Sequence, residues 1–135
     1  GRLVALDLRT GSPLWEREIA TSTTSWVAGD YLFIVTTGND LICLQRISGK
    51  IYWITSLPKF LDPKDRKNPI VWTRPLLAGD RLIIASNHGE VRAISPYSGK
   101  TLGSISVNGG VRVSPIIARG TVYLLTAEAE AIALR

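Results

Sequence analysis

The stretch ALDLRTGSPLW, residues 5–15, returns in two weaker copies further along the chain. The second copy is CLQRISGKIYW, residues 43–53, and the third is AISPYSGKTLG, residues 93–103. Each copy opens with a small residue and carries a Thr-Gly or Ser-Gly pair in the middle, and the first two end in tryptophan. A pattern that recurs at this spacing predicts a repeat architecture, with one copy in each supersecondary unit.

A second marker recurs between the copies of the first. Ala28-Gly29-Asp30, Ala78-Gly79-Asp80 and Arg119-Gly120 each precede an apolar run, which reads YLFIV, RLIIA and TVYLL respectively. Short runs of β-branched and aromatic residues between Gly, Asn, Asp and Ser are typical of strands and hairpins. No segment has a sustained helical period. We therefore interpret each unit as four antiparallel strands, which is the content of one β-propeller blade.

The fold class predicted from these repeats is an all-β propeller fragment of about three four-stranded antiparallel blades. The predicted divisions are the end of one blade (1–20), a blade (25–57), a loop insert (58–69), a second blade (70–107) and an incomplete last blade (111–135). Because the chain begins in mid-pattern and stops one strand short, we expect it to be a piece of a larger propeller. Blades are stabilised by their neighbours, so we also expect exposed apolar faces and self-association.

The repeated residues have a structural interpretation. Asp7 and Thr10 can form hydrogen bonds across a turn, and Gly11 permits a positive φ. The strand that begins the chain is expected to run through Leu8. The column Ala5, Cys43, Ala93 and Ala133 is always small, so we expect each indole to cover such a position on a neighbouring blade. The residues assigned to the structural repeat motif are Ala5, Asp7, Thr10, Gly11, Trp15, Cys43, Ser48, Gly49, Trp53, Ala93 and Gly99.

Composition argues against several classes of function. Lys and Arg number 16 against 11 Asp and Glu, a net charge of +5, but the charges are scattered and do not predict nucleic-acid binding. One cysteine permits no internal disulfide.

Two single residues could carry chemistry. Cys43 can be a reactive thiol or a buried structural thiol, and His88 can be a base, a ligand or a solvated turn residue. We favour the structural interpretation of both, and predict no catalytic, metal-binding or cofactor-binding residue.

The insert PKFLDPKDRKNP, residues 58–69, is the best candidate for contact with a partner, because long loops on rigid scaffolds often bind. Its alternative is a mobile, solvated loop. Ile70–Thr73 is expected to return to strand, which would place Trp72 in the core. The possible partner-binding residues are Lys59, Phe60, Leu61, Lys64, Arg66 and Lys67.

Two resemblances follow from these motifs. Ala-x-Asp-x-x-Thr-Gly-x-x-x-Trp resembles the tryptophan-docking motif of propeller repeats of the pyrroloquinoline-quinone type, and residues 5–15 match every defined position. The second copy departs at Cys43, Gln45 and Ser48. Nearly the whole chain is similar to the C-terminal blades of the BamB family, in the stretches GRLVALDLRTGSPLWERE, VAGDYLFIV and GTVYLLTAEAEAIALR.

The BamB resemblance implies an eight-bladed lipoprotein at the periplasmic side of the Gram-negative outer membrane, touching the membrane only through a lipid anchor. It implies a non-enzymatic scaffold without a cofactor, which binds the POTRA domains of the barrel subunit BamA through contacts mostly outside this chain. Two alternatives stay open, because the motif is shared by enzymes and non-enzymes. One is a quinoprotein dehydrogenase that uses pyrroloquinoline quinone and calcium, and the other is a general propeller module for protein binding.

Overall fold

A computed structural model describes residues 1–135 as a chain of fifteen short strands without a helix. The strands are β1 (Leu3–Leu6), β2 (Pro13–Arg17), β3 (Trp26–Ala28), β4 (Tyr31–Val35), β5 (Asp40–Gln45), β6 (Ile51–Ser56), β7 (Phe60–Asp62), β8 (Lys67–Pro69), β9 (Leu76–Ala78), β10 (Arg81–Ala85), β11 (Glu90–Ile94), β12 (Thr101–Ser106), β13 (Ile116–Ala118), β14 (Thr121–Leu125) and β15 (Ala131–Leu134). The predicted all-β, antiparallel fold class is confirmed. The chain contains no helix long and apolar enough to cross a membrane.

The strands pair in chain order. β3 to β6 form one four-stranded sheet and β9 to β12 another, flanked by the two-stranded sheet β1–β2 and the three-stranded sheet β13–β15. All these pairings are antiparallel. Strand β9 contacts both β3 and β13, so the first strands of successive sheets lie side by side. The sheets therefore follow one another like blades around a common axis.

The hydrophobic core lies between the sheets. Side chains alternate between the two faces of a strand, so each central strand contributes side chains to the core on both sides of its sheet. On β4, Leu32 and Ile34 pack toward the first sheet with Ile19. Phe33 and Val35 face the other way and pack with Leu82, Ile84 and Ile94 of the next four-stranded sheet. A third cluster joins that sheet to the last one, through Leu76, Ala85 and Val91 against Val122 and Leu124. Each blade thus depends on its neighbours for burial.

The outer strands leave apolar side chains in contact with solvent. Every residue of β12 is exposed, including Leu102 and Ile105. Leu14 on β2 and Ile54 on β6 are also exposed. The strand β15 pairs only with β14, so its other edge has no partner strand. These surfaces are the ones from which the sequence predicts self-association, and that association stays a prediction.

Three sequence expectations are wrong in detail. Strand β1 ends at Leu6, and Leu8 is fully exposed in the following turn, because the Asp7 carboxylate accepts the amides that begin the turn. The insert is a β-hairpin, β7–β8, rather than a loop. Ile70–Thr73 forms no strand but a single bridge from Trp72 to Ser86. Trp72 is nevertheless buried in the core, as predicted.

Candidate functional site

The three Ser-Gly or Thr-Gly turns share one backbone geometry. Gly11, Gly49 and Gly99 have φ values of 73°, 70° and 75°. The amide of each glycine donates to the carbonyl oxygen four residues earlier, at 2.7, 2.8 and 2.9 Å respectively. A residue with a Cβ adopts such a φ only at a cost, which explains why glycine stands in every copy.

The side chain four residues before the glycine differs between copies, yet it organises the same turn. Asp7 Oδ1 accepts the amides of Arg9 (2.8 Å) and Thr10 (3.2 Å). Ser95 Oγ accepts the amides of Tyr97 and Ser98, both at 3.3 Å. In the second copy, the Gln45 amide oxygen accepts from the Ser48 hydroxyl. The carboxylate of Asp7 is thus used within its own turn.

Each tryptophan of the motif docks on the turn of the next sheet. Trp15 Nε1 donates to the carbonyl of Arg46, and Trp53 Nε1 to the carbonyl of Pro96, both at 2.9 Å. The indoles lie against glycines: a Cβ on either Gly49 or Gly99 would come within 2.6 Å of an indole carbon.

The side chain two residues after each tryptophan completes the contact. Arg17 Nε donates to the carbonyl of Gly49 at 2.7 Å, and Thr55 Oγ1 to that of Gly99 at 2.6 Å. The motif therefore joins sheets through two hydrogen bonds and one ring face at each of the two interfaces.

The small-residue column does not lie where the sequence analysis expects it. Ala5 pairs with Trp15 across its own hairpin, and Cys43 pairs with Trp53. The small residue that each indole covers on the neighbouring sheet is the turn glycine, because a residue without a Cβ lets the ring approach the backbone. The sequence carries this signal, since both tryptophans are followed in the next copy by a Ser-Gly pair.

The third copy has Gly103 opposite Ala93, in the position of the tryptophan. A groove of about 700 Å³ lies there, between the β9–β12 sheet and the last sheet. Its walls include Ile105, Val122 and Leu134. The last interface therefore lacks the indole clamp that the two preceding ones possess.

Cys43 and His88 match their structural interpretations. Cys43 is fully buried, and burial raises the pKa of its thiol to about 11. His88 is exposed in a turn, where its Nε2 lies 3.1 Å from the carbonyl oxygen of Pro69. No three His, Cys, Asp or Glu side chains come together in a group that could hold a metal ion.

The base of the insert hairpin is fixed to two sheets. Asn39, in the β4–β5 turn, donates from Nδ2 to the carbonyls of Pro58 (3.1 Å) and Ile70 (2.8 Å). Trp72 Nε1 donates to the same Pro58 carbonyl at 3.0 Å. Asn87, in the β10–β11 turn of the next sheet, donates from Nδ2 to Pro69 at 3.3 Å. Residue types alone do not reveal Asn39 and Asn87 as anchors, because asparagine is ordinary in turns.

A cleft of about 470 Å³ opens between the insert hairpin and the β4–β5 turn, and we name it the hairpin cleft. Of the possible partner-binding residues, Lys59, Phe60 and Arg66 line it. The Arg66 guanidinium lies 5.5 Å above the centre of the Phe60 ring. Leu61, Lys64 and Lys67 are exposed on the hairpin outside the cleft.

The sequence profile of the family described as outer membrane protein assembly factor BamB matches residues 1–55 and 61–135. The unmatched residues, 56–60, run from the end of β6 into the start of the insert. BamB of Legionella pneumophila (strain Paris) is 26% identical over 126 residues, which are 93% of this chain and 30% of that protein. BamB of Alkalilimnicola ehrlichii is 27% identical over all of this chain and 33% of its own length. The chain thus spans about a third of the length of these relatives.

Solved structures share the fold. The crystal structure of BamB from Moraxella catarrhalis superposes with a TM-score of 0.82 at 16% identity, over 98% of this chain and 37% of that one. The computationally designed Ika8 protein has a TM-score of 0.73 at 12% identity, over 98% of this chain and 39% of its own. A europium-containing methanol dehydrogenase reaches 0.63 at 16% identity, over 80% of this chain and 22% of its own. With its profile match over nearly every residue, the chain belongs to the BamB family of outer membrane protein assembly factors.

Proposed function

We propose that this chain is part of a non-enzymatic scaffold for the assembly of outer-membrane proteins. The observation that carries the proposal is the family match over residues 1–55 and 61–135. The relatives are named as assembly factors. In this proposal a longer, lipid-anchored propeller lies at the periplasmic side of the outer membrane and binds the POTRA domains of a BamA-like barrel subunit.

The geometry supports a scaffold because its polar motif residues are used to build turns and interfaces. Asp7 holds its own turn, and Trp15 and Trp53 join neighbouring sheets. A rigid array of blades presents backbone edges and loops to a partner without needing reactive groups.

The alternative enzyme is a quinoprotein dehydrogenase, and its support is a shared fold with the europium-containing methanol dehydrogenase at 16% identity. Fold does not determine chemistry. The two proposals differ in a direct observable, because an enzyme of this kind binds quinone together with a metal ion, whereas a scaffold does not.

A cellular experiment tests the scaffold proposal. The gene that encodes this chain is deleted from its host, and the folded fraction of outer-membrane barrel proteins is measured by heat-modifiable gel mobility. We expect the folded fraction to fall and to recover when the gene is restored. The matched control restores the gene with Lys64→Gln, which changes an exposed side chain outside the hairpin cleft. Unchanged barrel folding in the deletion strain would contradict the proposal.

A further inference from the structure

We propose that the hairpin cleft binds an extended acidic segment of a partner protein. The cleft lies between the insert hairpin (β7–β8) and the β4–β5 turn, and its volume of about 470 Å³ is large enough for several side chains. The proposal gives the insert a ligand of defined chemistry: carboxylates that alternate with apolar side chains along one strand.

The cleft is formed before any ligand arrives. Asn39 ties the two ends of the insert together by donating to both Pro58 and Ile70, and Ile70 itself donates its amide to Lys59 at 2.8 Å. Asn87 holds the other side of the insert from the neighbouring sheet. Since these hydrogen bonds fix the base of the hairpin to the sheets on both sides, the backbone at that end of the cleft needs little ordering when a ligand binds, and this favours affinity.

Charge selects an acidic ligand. Lys59 and Arg66 line the cleft, and no Asp or Glu is among the lining residues. Neither cation forms an ion pair within the chain, whose salt bridges all lie elsewhere. Asp62, on the same hairpin, accepts a hydrogen bond from Asn68 at 2.7 Å. A guanidinium in such a position binds a carboxylate through two parallel hydrogen bonds.

The remaining lining suits an extended peptide. Thr36 Oγ1 accepts the amide of Asp40 at 3.1 Å, which leaves the hydroxyl proton free to donate to a ligand. Phe60, Val71 and Trp72 contribute apolar surface to the same cleft. Side chains of an extended strand alternate between two faces, so acidic residues can meet the cations while apolar residues meet these side chains.

The structure favours a peptide over an anionic membrane. A flat anionic surface is attracted by every exposed cation, including Lys64 and Lys67 on the outer side of the hairpin. A peptide in the cleft contacts Lys59 and Arg66 selectively, because only these two cations line the concave surface. Removing a charge inside the cleft should therefore weaken peptide binding more than removing one outside it, whereas both changes should weaken membrane binding equally.

This inference rests on the proposed scaffold function for its biological setting. Its test involves only the full-length protein and a synthetic probe, so that it can fail or succeed independently of any POTRA interaction. The probe is a fluorescein-labelled decapeptide of alternating glutamate and leucine. Its binding to the full-length protein that contains this chain is measured by fluorescence anisotropy in about 0.1 M salt, where long-range attraction between exposed charges is largely screened.

We expect saturable binding by the wild-type protein. Removing one charged partner, as in Lys59→Gln or Arg66→Gln, is expected to raise the Kd about tenfold or more, because a charge-assisted hydrogen bond is lost. The matched controls Lys64→Gln and Lys67→Gln remove the same charge outside the cleft and are expected to change the Kd less than about threefold. A decapeptide with glutamine in place of glutamate should not bind. All four variants alter exposed side chains, so circular dichroism is expected to show the wild-type fold.

Three results would overturn the proposal. The first is the absence of saturable binding to the glutamate peptide. The second is an equal loss of affinity in the cleft variants and the control variants, which would indicate general electrostatic attraction. The third is binding to phosphatidylglycerol-containing vesicles, weakened equally by all four substitutions, without binding of the peptide. That result would assign the hairpin to the membrane surface.

Discussion

Replacing Gly99 and Gly11 by alanine, one at a time, compares the same turn with and without an indole on it. The two glycines have nearly equal φ values, 75° and 73°. A Cβ on Gly11 would meet no atom within 4 Å. A Cβ on Gly99 would come within 2.6 Å of Trp53 Cε3 and would also collide with the Thr55 hydroxyl. Gly11→Ala therefore reports the backbone cost alone, and Gly99→Ala reports that cost plus the displacement of the docked side chains.

The expected magnitudes follow from these contacts. An alanine in the left-handed region costs about 1–2 kcal/mol, part of which is offset by the lower entropy of the unfolded chain. We therefore expect Gly11→Ala to lower the free energy of unfolding by about 1 kcal/mol. Gly99→Ala adds an overpacking cost of about 1–3 kcal/mol and about 1 kcal/mol for the Trp53 hydrogen bond to Pro96. The expected total for Gly99→Ala is about 3–5 kcal/mol.

Urea unfolding followed by circular dichroism measures both values, by linear extrapolation to water. A double-mutant cycle then isolates the indole: in a Trp53→Ala background, Gly99→Ala should cost no more than Gly11→Ala does in the wild type. If Gly99→Ala and Gly11→Ala are equally destabilising in the wild type, the indole does not dock on the turn glycine and the interface argument fails.

Three further predictions concern the thiol, the insert and the exposed faces. Burial raises the pKa of Cys43 from 9.0 to about 11, so the thiol of the unfolded chain ionises first as the pH rises. The free energy of unfolding should therefore fall between about pH 9 and 11 more steeply in the wild type than in Cys43→Ala. Urea titrations at both pH values measure this, and equal slopes would contradict it. Replacing residues 60–69 by Asn-Gly should leave the circular dichroism spectrum intact, since Lys59 and Ile70 are already hydrogen-bonded as in a two-residue hairpin; loss of the strand signal would show that the insert is needed for the fold. The isolated chain should self-associate through its exposed apolar faces, and a monomeric mass in analytical ultracentrifugation would refute this.

The repeat pattern is sufficient to predict the blades because their signals are local. Gly11, Gly49 and Gly99 mark the same turn, and apolar runs such as Tyr31–Val35 mark the central strands. Burial of Cys43 and Trp72 also follows from their places among apolar neighbours. A continuous apolar run predicts a strand whose two faces are both buried, because successive side chains point to opposite faces.

Contacts between sheets are not predictable from the same local signals. Trp53 contacts Gly99 and Pro96, which lie more than forty residues later in the sequence. The hydrogen bond from Trp53 to Pro96 spans 43 residues. The sequence of the insert predicts a loop because both of its strands are only three residues long, and the second ends in Pro69. Positive φ values at Arg66 and Asn68 break the regular alternation that identifies longer strands. The hairpin cleft depends on Asn39 and Asn87, whose long-range hydrogen bonds leave no mark in the sequence.

The most direct test of the scaffold account is isothermal titration calorimetry of the full-length protein containing this chain with the purified POTRA region from the same organism. A scaffold of this kind is expected to bind the POTRA region saturably and to give no heat with pyrroloquinoline quinone and calcium. Absence of POTRA binding, together with uptake of quinone and calcium, would contradict the scaffold account and favour a dehydrogenase that shares only the repeat architecture.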